Sequence, residues 1–354
     1  MAVPPPAVSV IIPCFNLGDF VKEAVESVLT QSFQDFEILL VDDGSTDVQT
    51  QLLLGSFSRP KTTVYRTPNR GLAAARNFLL QHARGTYICA LDADDRLHPE
   101  FLQKTVAQLE NDPSLAFASC WLDRFGDEQG TWTPERCDFP TLLAECTVCT
   151  ASLVRRTAVM AVGGFDERMP HPGYEDWDLW VSLVERGFRG CIIPEILFHY
   201  RRRSGSMTDA CCVPPQHTAL MRYMVSKHQA SYDEHLLGVL MHKERELGAL
   251  LRANLAAERE LATWYEPLVE ARRRELQRLE DKLARAPQAV SSPHVLEAEE
   301  LEQLRQRLED TQLQASATHH ELERSYAEVR ALRNSWSWRL TAPLRRALDL
   351  LRGR

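Results

Sequence analysis

Long apolar runs and an N-terminal targeting segment are both missing from this 354-residue chain. The start, MAVPPPAVSV, has neither a basic region nor a long apolar stretch, and the longest apolar strings, VSVII and ILLV, are only strand-sized. A membrane-spanning helix needs about 20 mostly apolar residues, and a secretory signal needs a basic segment before an apolar one. The sequence therefore predicts a cytoplasmic protein.

An excess of basic charge is missing as well. The chain has 41 Lys and Arg residues against 49 Asp and Glu residues, a formal net charge of −8. Nucleic-acid binding requires a basic surface for the phosphates, so we expect no nucleic-acid partner. The nine cysteines include one C-x-x-C pair, Cys146 and Cys149, without a second pair that could complete a zinc site. Free, mostly buried thiols are expected.

The first 200 residues alternate apolar runs with amphipathic segments. The runs VSVIIPCFN, FEILLVDDGSTD and TYICALDADD predict buried strands, and FVKEAVESVLTQ, LAAARNFLLQHA and PEFLQKTVAQLENDP repeat apolar residues at helical spacing. Continuous apolar strands separated by helices are typical of a parallel sheet covered on both faces. The sequence predicts an α/β fold with a doubly wound, mostly parallel sheet and flanking helices, followed by an α-helical C-terminal region.

The composition changes after about residue 215, where long helical stretches begin. The predicted segments are an α/β domain over 1–215, a helical extension over 216–290, a coiled coil over 291–335 and a basic amphipathic tail over 336–354. One seam position of the heptad pattern holds Leu301, Leu308, Ala315, Leu322, Val329 and Trp336, and the other holds Leu304, Thr311, Thr318, Ser325 and Leu332. Such a seam needs a partner helix, either the segment with Leu276, Leu279 and Leu283 or a second copy of the chain.

The tail, SWSWRLTAPLRRALDLLRGR, mixes tryptophan and leucine with arginine. A basic helix of this kind can lie on an anionic membrane, which predicts peripheral contact with its inner face, or it can pack on another protein segment.

Two predicted strands end in acidic clusters. Asp42 and Asp43 close one strand, and Asp92, Asp94 and Asp95 follow another. Neighbouring carboxylates repel, so the clusters are either solvated turns or ligands of a cation. In a parallel sheet ligands bind beyond the carboxyl ends of the strands, where both clusters can meet. Mg²⁺ or Mn²⁺ shared between a carboxylate and substrate phosphates fits such a cluster, so we expect Mn²⁺ or Mg²⁺ as the cofactor.

Taken in order, VSVIIPCFN, VDDGSTD, NRGLAAARN, LDADD, GGFDE and YEDWDLW resemble the motifs of family-2 glycosyltransferases with the GT-A fold, of the bacterial surface-polysaccharide type. The resemblance covers roughly residues 8–207. It implies transfer of a sugar, with inversion, from a UDP- or GDP-sugar donor to a glycan or lipid-linked glycan. The Q-x-x-R-W motif of processive polysaccharide synthases is missing, so addition of one or a few sugars is expected.

The resemblance also implies roles for individual residues. The nucleotide-sugar-binding residues would be Pro13, Phe15, Asn16, Asp42, Asp43, Gly71, Arg76 and Asp92. Asp94, with Asp92, would hold the metal, and His199 is a candidate third ligand. The alternative for His199 is an ordinary packed or solvated side chain. Arg201, Arg202 and Arg203 form either a lid over the diphosphate or a solvated basic loop.

The resemblance makes Asp176 the catalytic base and Glu175 its neighbour, although acids also favour helix N-termini without catalysing anything. A single carboxylate can take the proton from the attacking hydroxyl in an inverting transfer. The alternatives are a nucleotidyltransferase, which usually has a Gly-rich loop where this chain has PCFNLGDF, and a non-catalytic scaffold with its coiled coil as the working part. The coiled coil also makes a homo-oligomer possible.

Overall fold

The computed structural model describes residues 4–285, 302–317, 320, 323 and 324. The chain divides into two compact units, the first ending at Leu240 and the second beginning at Met241. The segment boundaries at 215, 290 and 335 stay a prediction.

The first unit is built on a nine-stranded sheet with the spatial order β3-β2-β1-β4-β8-β6-β9-β5, and β7 pairs with β6. The strands are β1 (Val8–Cys14), β2 (Phe36–Asp43), β3 (Thr62–Thr67), β4 (Tyr87–Ala90), β5 (Arg96–Leu97), β6 (Leu115–Gly126), β7 (Gly130–Trp132), β8 (Leu153–Arg155) and β9 (Arg189–Arg202). Strands β3, β2, β1 and β4 are parallel, whereas β8 runs antiparallel to both of its neighbours. This confirms the predicted α/β fold.

Helices cover both faces of the sheet. In the first unit they are α1 (Gly18–Leu29), α2 (Val48–Gly55), α3 (Leu72–His82), α4 (Phe101–Asn111), α5 (Thr141–Ala144), α6 (Arg156–Val162), α7 (Glu175–Glu185), α8 (Met207–Cys211), α9 (Gln216–Lys227) and the start of α10 (Gln229–Arg285). One core contains Val10 and Ile12 of β1 with residues of α1 and α4. The other contains Ile11 of the same strand with residues of α3 and α7. Successive strand residues point to opposite faces, so an unbroken apolar run fills both cores.

The strand pairing brings the predicted site residues to one edge of the sheet. Cys14 of β1 lies opposite Asp42 of β2, and Asp42 lies opposite Arg66 of β3. The chain after β4 leaves the sheet beside β1, since Ile11 pairs with Ala90. The two acidic clusters therefore follow neighbouring parts of the same sheet.

Residues after 215 contribute to the first unit's core. Met224 of α9 and Tyr232 of α10 are buried in the core on the α7 side. Between them, Lys227 contacts Asp166 and Asp178 at 2.6 and 2.7 Å. His228 contacts Asp178 through Nε2 at 2.9 Å and Glu185 through Nδ1 at 2.8 Å. Because each ring nitrogen faces a carboxylate, both must donate, and the imidazole is positively charged.

The described part of the second unit is helical and includes residues 302–317. Within residues 302–317 the least exposed positions are Leu304, Leu308, Thr311 and Ala315, which are the seam positions of the heptad pattern. Leu279 of α10 is also buried. Other residues of the same chain therefore cover part of each seam. The coiled coil itself stays a prediction, because Leu301, Leu322, Val329, Trp336 and the tail lie outside the described residues.

Among the helices that the structure describes, none combines the length and the apolar character required to cross a bilayer.

Replacing His228 with leucine should lower the free energy of unfolding by about 1.5–3 kcal/mol, because buried Asp178 loses a hydrogen bond from a charged partner and keeps Lys227 as its cation. Ser231→Ala is the matched control: its hydroxyl donates to the same Glu185 carboxylate at 2.8 Å from an exposed position. Its loss should cost less than about 1.5 kcal/mol. Urea denaturation followed by tryptophan fluorescence measures both changes.

The cost of His228→Leu should also depend on pH. Burial alone would lower the pKa of His228, but the hydrogen bonds to Asp178 and then Glu185 outweigh burial and raise the pKa. The stabilisation is therefore complete below the unfolded-state pKa of about 6.5 and is lost as the pH rises through the raised value. The difference between wild type and variant should shrink as the pH rises above the raised pKa of His228. A difference that stays the same across the whole alkaline range would contradict a charged His228.

Candidate functional site

The first acidic cluster, at the end of β2, ties neighbouring loops together. Asp42 accepts a hydrogen bond from the backbone N–H of Ser45 at 2.9 Å and pairs with Arg66 Nε at 3.1 Å. Asp43 accepts the N–H groups of Arg70 at 3.2 Å and Gly71 at 3.0 Å. Both carboxylates are almost fully buried. Asp42 and Asp43 therefore fix the loops at the rim of the site, and they could also contact a ligand.

Gly71 precedes α3 with φ of +89°, a left-handed conformation in which a side chain would be strained. This turn directs the Gly71 N–H at Asp43.

The end of β1 contributes to the same rim. Pro13 lies within β1, opposite Val41 of β2. Phe15 is 42% exposed, so an aromatic face remains open next to the buried acids. Asn16 has φ of +56°, and its side-chain oxygen accepts the N–H groups of Thr46 at 2.8 Å and Asp47 at 2.9 Å. Asn16 thus locks the β1 loop to the loop after β2.

The second acidic cluster, in the loop after β4, contains three carboxylates with different partners. Asp92 pairs with Arg76 at 2.6 Å. Asp94 accepts Arg203 Nε at 2.9 Å and a terminal nitrogen of the same guanidinium at 2.6 Å. Asp95 accepts the N–H of Arg201 at 2.7 Å through Oδ1, whereas its buried Oδ2 has no hydrogen-bond partner within the described residues.

Crowding and burial make Asp94 and Asp95 harder to ionise. Burial raises the pKa of Asp94, the charge of Asp92 raises it further, and Arg203 partly offsets both. Burial and the charges of Asp94 and Asp92 raise the pKa of Asp95 well above its usual value. The cluster therefore favours the arrival of a positive charge.

This cluster fits a divalent cation. Its donors are hard carboxylate oxygens, one of them without a partner, and Asp94 already binds the positive guanidinium of Arg203. Asp92 and Asp94 are the residues that could hold the ion.

His199 lies in β9, where its Nδ1 contacts Asp123 Oδ1 at 2.5 Å. The described atoms of Asp92, Asp94 and His199 do not form a group of ligand atoms within 4.8 Å of one another. The observed partner of His199 is thus a carboxylate of β6, and its role as a metal ligand stays a prediction.

Arg76 joins the second acidic cluster to α7. Its fully buried guanidinium contacts Asp92 at 2.6 Å and Glu175 at 2.8 Å. Burial alone would lower the pKa of Arg76, but the charges of Asp92 and Glu175 outweigh burial and raise it. Glu175 accepts the Gly173 N–H at 2.8 Å through its other oxygen. Both oxygens of Glu175 are therefore engaged internally.

Asp176, the next residue, has a different environment. It is partly exposed, and it accepts the Thr150 hydroxyl at 2.6 Å and the Trp177 N–H at 2.7 Å. Burial of the carboxyl group, followed by the charge of Glu175, raises the pKa of Asp176 to about 6, while Arg76 and the two hydrogen bonds oppose the shift. A carboxylate with this pKa is mostly ionised at neutral pH and basic enough to accept a proton.

Sequence reasoning missed three residues around the site. Arg203 was considered only as part of a lid or loop, although it contacts Asp94. Asp178, the last acid of YEDWDLW, received no role but is buried and held by Lys227 and His228. Thr150 carries no recognisable signal, because it is one of several polar residues in a loop and its partner is 26 positions away.

Comparisons with known proteins identify the family of the chain. The model of the family described as glycosyl transferase family 2 matches residues 9–168. EpsE of Bacillus subtilis, whose name describes a glycosyltransferase, is 32% identical over 56% of this chain and 74% of its own length. TuaG of the same organism, named for a glycosyltransferase of teichuronic acid biosynthesis, is 30% identical over 58% of this chain and 82% of its own length.

Among solved structures, the crystal structure of S. aureus TarS 1-349 in complex with UDP-GlcNAc matches with a TM-score of 0.52 and 19% identity. The match covers 62% of this chain and just under two thirds, 65%, of that chain, and at this identity it shows a common fold only. The family-model match and the two Bacillus relatives, which this chain matches over most of their length, show that the chain belongs to glycosyl transferase family 2 and is a transferase enzyme.

Proposed function

We propose that this enzyme transfers one sugar at a time, with inversion, from a UDP- or GDP-sugar to a hydroxyl group of a glycan or lipid-linked glycan, using Mn²⁺ or Mg²⁺. The observation that carries the proposal is the buried Arg76 bridge. Arg76 binds Asp92, one of the acids that could hold a metal ion, and Glu175, the neighbour in the chain of Asp176, the carboxylate suited to accept a proton.

The donor would lie along the edge of the sheet. Phe15 offers an exposed aromatic face for a base, and Asn16, Asp42 and Asp43 hold the surrounding loops in place. Asp94 and Asp92 would hold the metal ion, which when bound stabilises the negative charge of the departing diphosphate. The ion would replace Arg203 at Asp94, leaving this guanidinium available to the diphosphate.

Asp176 would act as the base. It takes the proton from the acceptor hydroxyl while the hydroxyl oxygen bonds to the anomeric carbon. The bond from that carbon to the diphosphate oxygen breaks, and its electron pair leaves with the diphosphate. Direct displacement inverts the anomeric centre without a covalent enzyme intermediate. Both oxygens of Glu175 are occupied by Arg76 and the Gly173 N–H, so this carboxylate is unsuitable as a nucleophile. Its engagement is consistent with direct displacement.

The names of relatives suggest where to begin the search for substrates. TarS shares the fold and was crystallised with UDP-GlcNAc, and TuaG is named for teichuronic acid biosynthesis. UDP-sugars and acidic surface glycans are therefore the first donors and acceptors to test.

A thermal-shift panel tests the donor site directly. UDP, GDP, CDP and ADP should be compared with and without Mn²⁺, because a ligand that binds the native state raises the melting temperature. We expect UDP or GDP to raise it only when the metal is present. A panel in which no nucleotide shifts the melting temperature would count against the proposed function.

Asp94→Asn should abolish metal-dependent binding of UDP or GDP in calorimetry, because the amide removes the negative charge that attracts the cation. The fold should remain intact, since one of three crowded carboxylates is neutralised. Asp138→Asn is the matched control, an exposed aspartate that also pairs with an arginine, Arg136, at 2.9 Å. Unchanged nucleotide binding by Asp94→Asn would remove Asp94 from the set of metal ligands.

Asp176→Asn should retain donor binding but slow transfer by about 10²–10⁴-fold, the usual contribution of a general base. In the wild type the rate should fall as the pH drops through about 6, because the pKa of Asp176 is raised to about 6 and protonation blocks the base. Both are measured by release of nucleoside diphosphate from the donor. Near-normal turnover by Asp176→Asn would require another base, with Glu175 as the first to test.

A further inference from the structure

Thr150 lies in a loop that is fixed on both sides. The preceding residue, Cys149, donates its N–H to Ser119 Oγ of β6 at 3.2 Å. The carbonyl of Cys149 accepts the Ser152 hydroxyl at 2.7 Å and the Ser152 N–H at 3.1 Å, which closes a turn around Thr150. Strand β8 starts at Leu153, so the turn is anchored to the sheet at both ends.

From this turn, the Thr150 hydroxyl reaches Asp176 at the start of α7. It donates to Asp176 Oδ2 at 2.6 Å, and the Trp177 N–H donates to Oδ1 at 2.7 Å. The two donors come from different elements and hold opposite ends of one carboxylate. Each carboxylate oxygen has two lone pairs, so one remains on each for an acceptor hydroxyl.

We propose that Thr150 is a positioning residue for the transfer, in that its hydroxyl fixes the Asp176 carboxylate in the orientation that receives the acceptor's proton. This inference rests on the proposed function. Without Thr150, the carboxylate would keep only the N–H of its neighbour in the chain and could rotate away from the acceptor. A fixed carboxylate avoids the loss of rotational freedom that an unrestrained one would undergo in the transition state.

Thr150 also favours the ionised form of the base without adding a charge. The titratable groups that influence Asp176 are those of Glu175, Tyr174, Arg76 of α3, Cys146 after α5 and Cys211 of α8. Arg76 is the cation of this set, but it is shared with Asp92 and Glu175. The Thr150 hydroxyl is a neutral hydrogen-bond donor directed at Asp176 Oδ2. It therefore stabilises the ionised carboxylate of Asp176 locally, which Arg76 does not.

The same loop provides a control. Thr147 is a buried threonine three residues before Thr150, and its hydroxyl has no hydrogen-bond partner within the described part of the chain. Both Thr147→Val and Thr150→Val replace a hydroxyl with a methyl group, but Thr147→Val removes no hydrogen bond observed in the described residues. A purely structural role for these threonines would affect both variants alike.

The direct test measures the titration of Asp176 in the full-length protein. With [4-¹³C]aspartate incorporated, the carboxyl signal that disappears in Asp176→Asn identifies this residue, and its chemical shift is followed against pH. In Thr150→Val the midpoint should rise by about one pH unit, because a lost hydrogen bond to the charged form raises a carboxyl pKa. Thr150→Ser and Thr147→Val should titrate like the wild type.

The kinetic test follows transfer to water from a UDP- or GDP-sugar with Mn²⁺. Thr150→Val should move the acid limb of kcat to higher pH, lower kcat about tenfold at neutral pH and leave the donor KM unchanged. Thr150→Ser should restore the wild-type profile. If Thr150→Val does not fold, as judged by circular dichroism, Thr150→Ala removes the same hydroxyl with less bulk.

An unchanged Asp176 titration in a folded Thr150 variant, or an equal rate loss in Thr147→Val, would overturn the positioning role. The titration result does not depend on the donor assignment. Failure of the wild type to release nucleoside diphosphate from any UDP- or GDP-sugar would instead overturn the proposed function, because the titration needs neither donor nor acceptor.

Discussion

The buried guanidinium of Arg76 is the interaction on which the site depends. A positive charge that is 1% exposed is tolerated only when carboxylates compensate for its lost hydration, and here they come from the loop after β4 and from α7. This one side chain therefore connects the second acidic cluster to the start of α7, where Asp176 lies. Arg76 Nε has no hydrogen-bond partner within the described residues, so the group is stabilised by its two ion pairs and by the ring of Phe165, whose centroid lies 5.3 Å from the guanidinium carbon. Losing either carboxylate would leave the charge buried and poorly compensated.

The remaining acids of the second cluster are held by groups of the protein itself. Arg203 binds Asp94, and the N–H of Arg201 binds Asp95, so a short segment at the end of β9 covers the second cluster. Arg203 is one-third exposed, whereas Arg76 is buried. This difference separates a permanent structural contact from one that a metal ion could replace. These protein contacts offset part of the repulsion among the crowded acids.

Strand runs and acidic strand ends in the sequence were sufficient to predict the α/β fold and the acidic clusters that follow two of its strands, since these features depend on local patterns. The contacts of the site were not predictable in the same way. Arg76 lies 16 residues from Asp92 and 99 from Glu175, and Arg203 lies 109 from Asp94. Periodicity shows which face of an element is buried but not which distant residue it meets. For this reason the resemblance placed Arg76 along the nucleotide without indicating the bridge to α7.

Glu175 and Asp176 show how position on a helix separates two otherwise similar acids. Successive residues of an α-helix point about 100° apart, so at the start of α7 one carboxylate turns into the core while the next faces the open edge of the site. Glu175 has both oxygens engaged by Arg76 and the Gly173 N–H, which makes it a structural counter-ion. Its fixed negative charge then raises the pKa of Asp176 beside it. Arg76, which links the second acidic cluster to α7, thus also holds in place the Glu175 carboxylate whose charge makes Asp176 more basic.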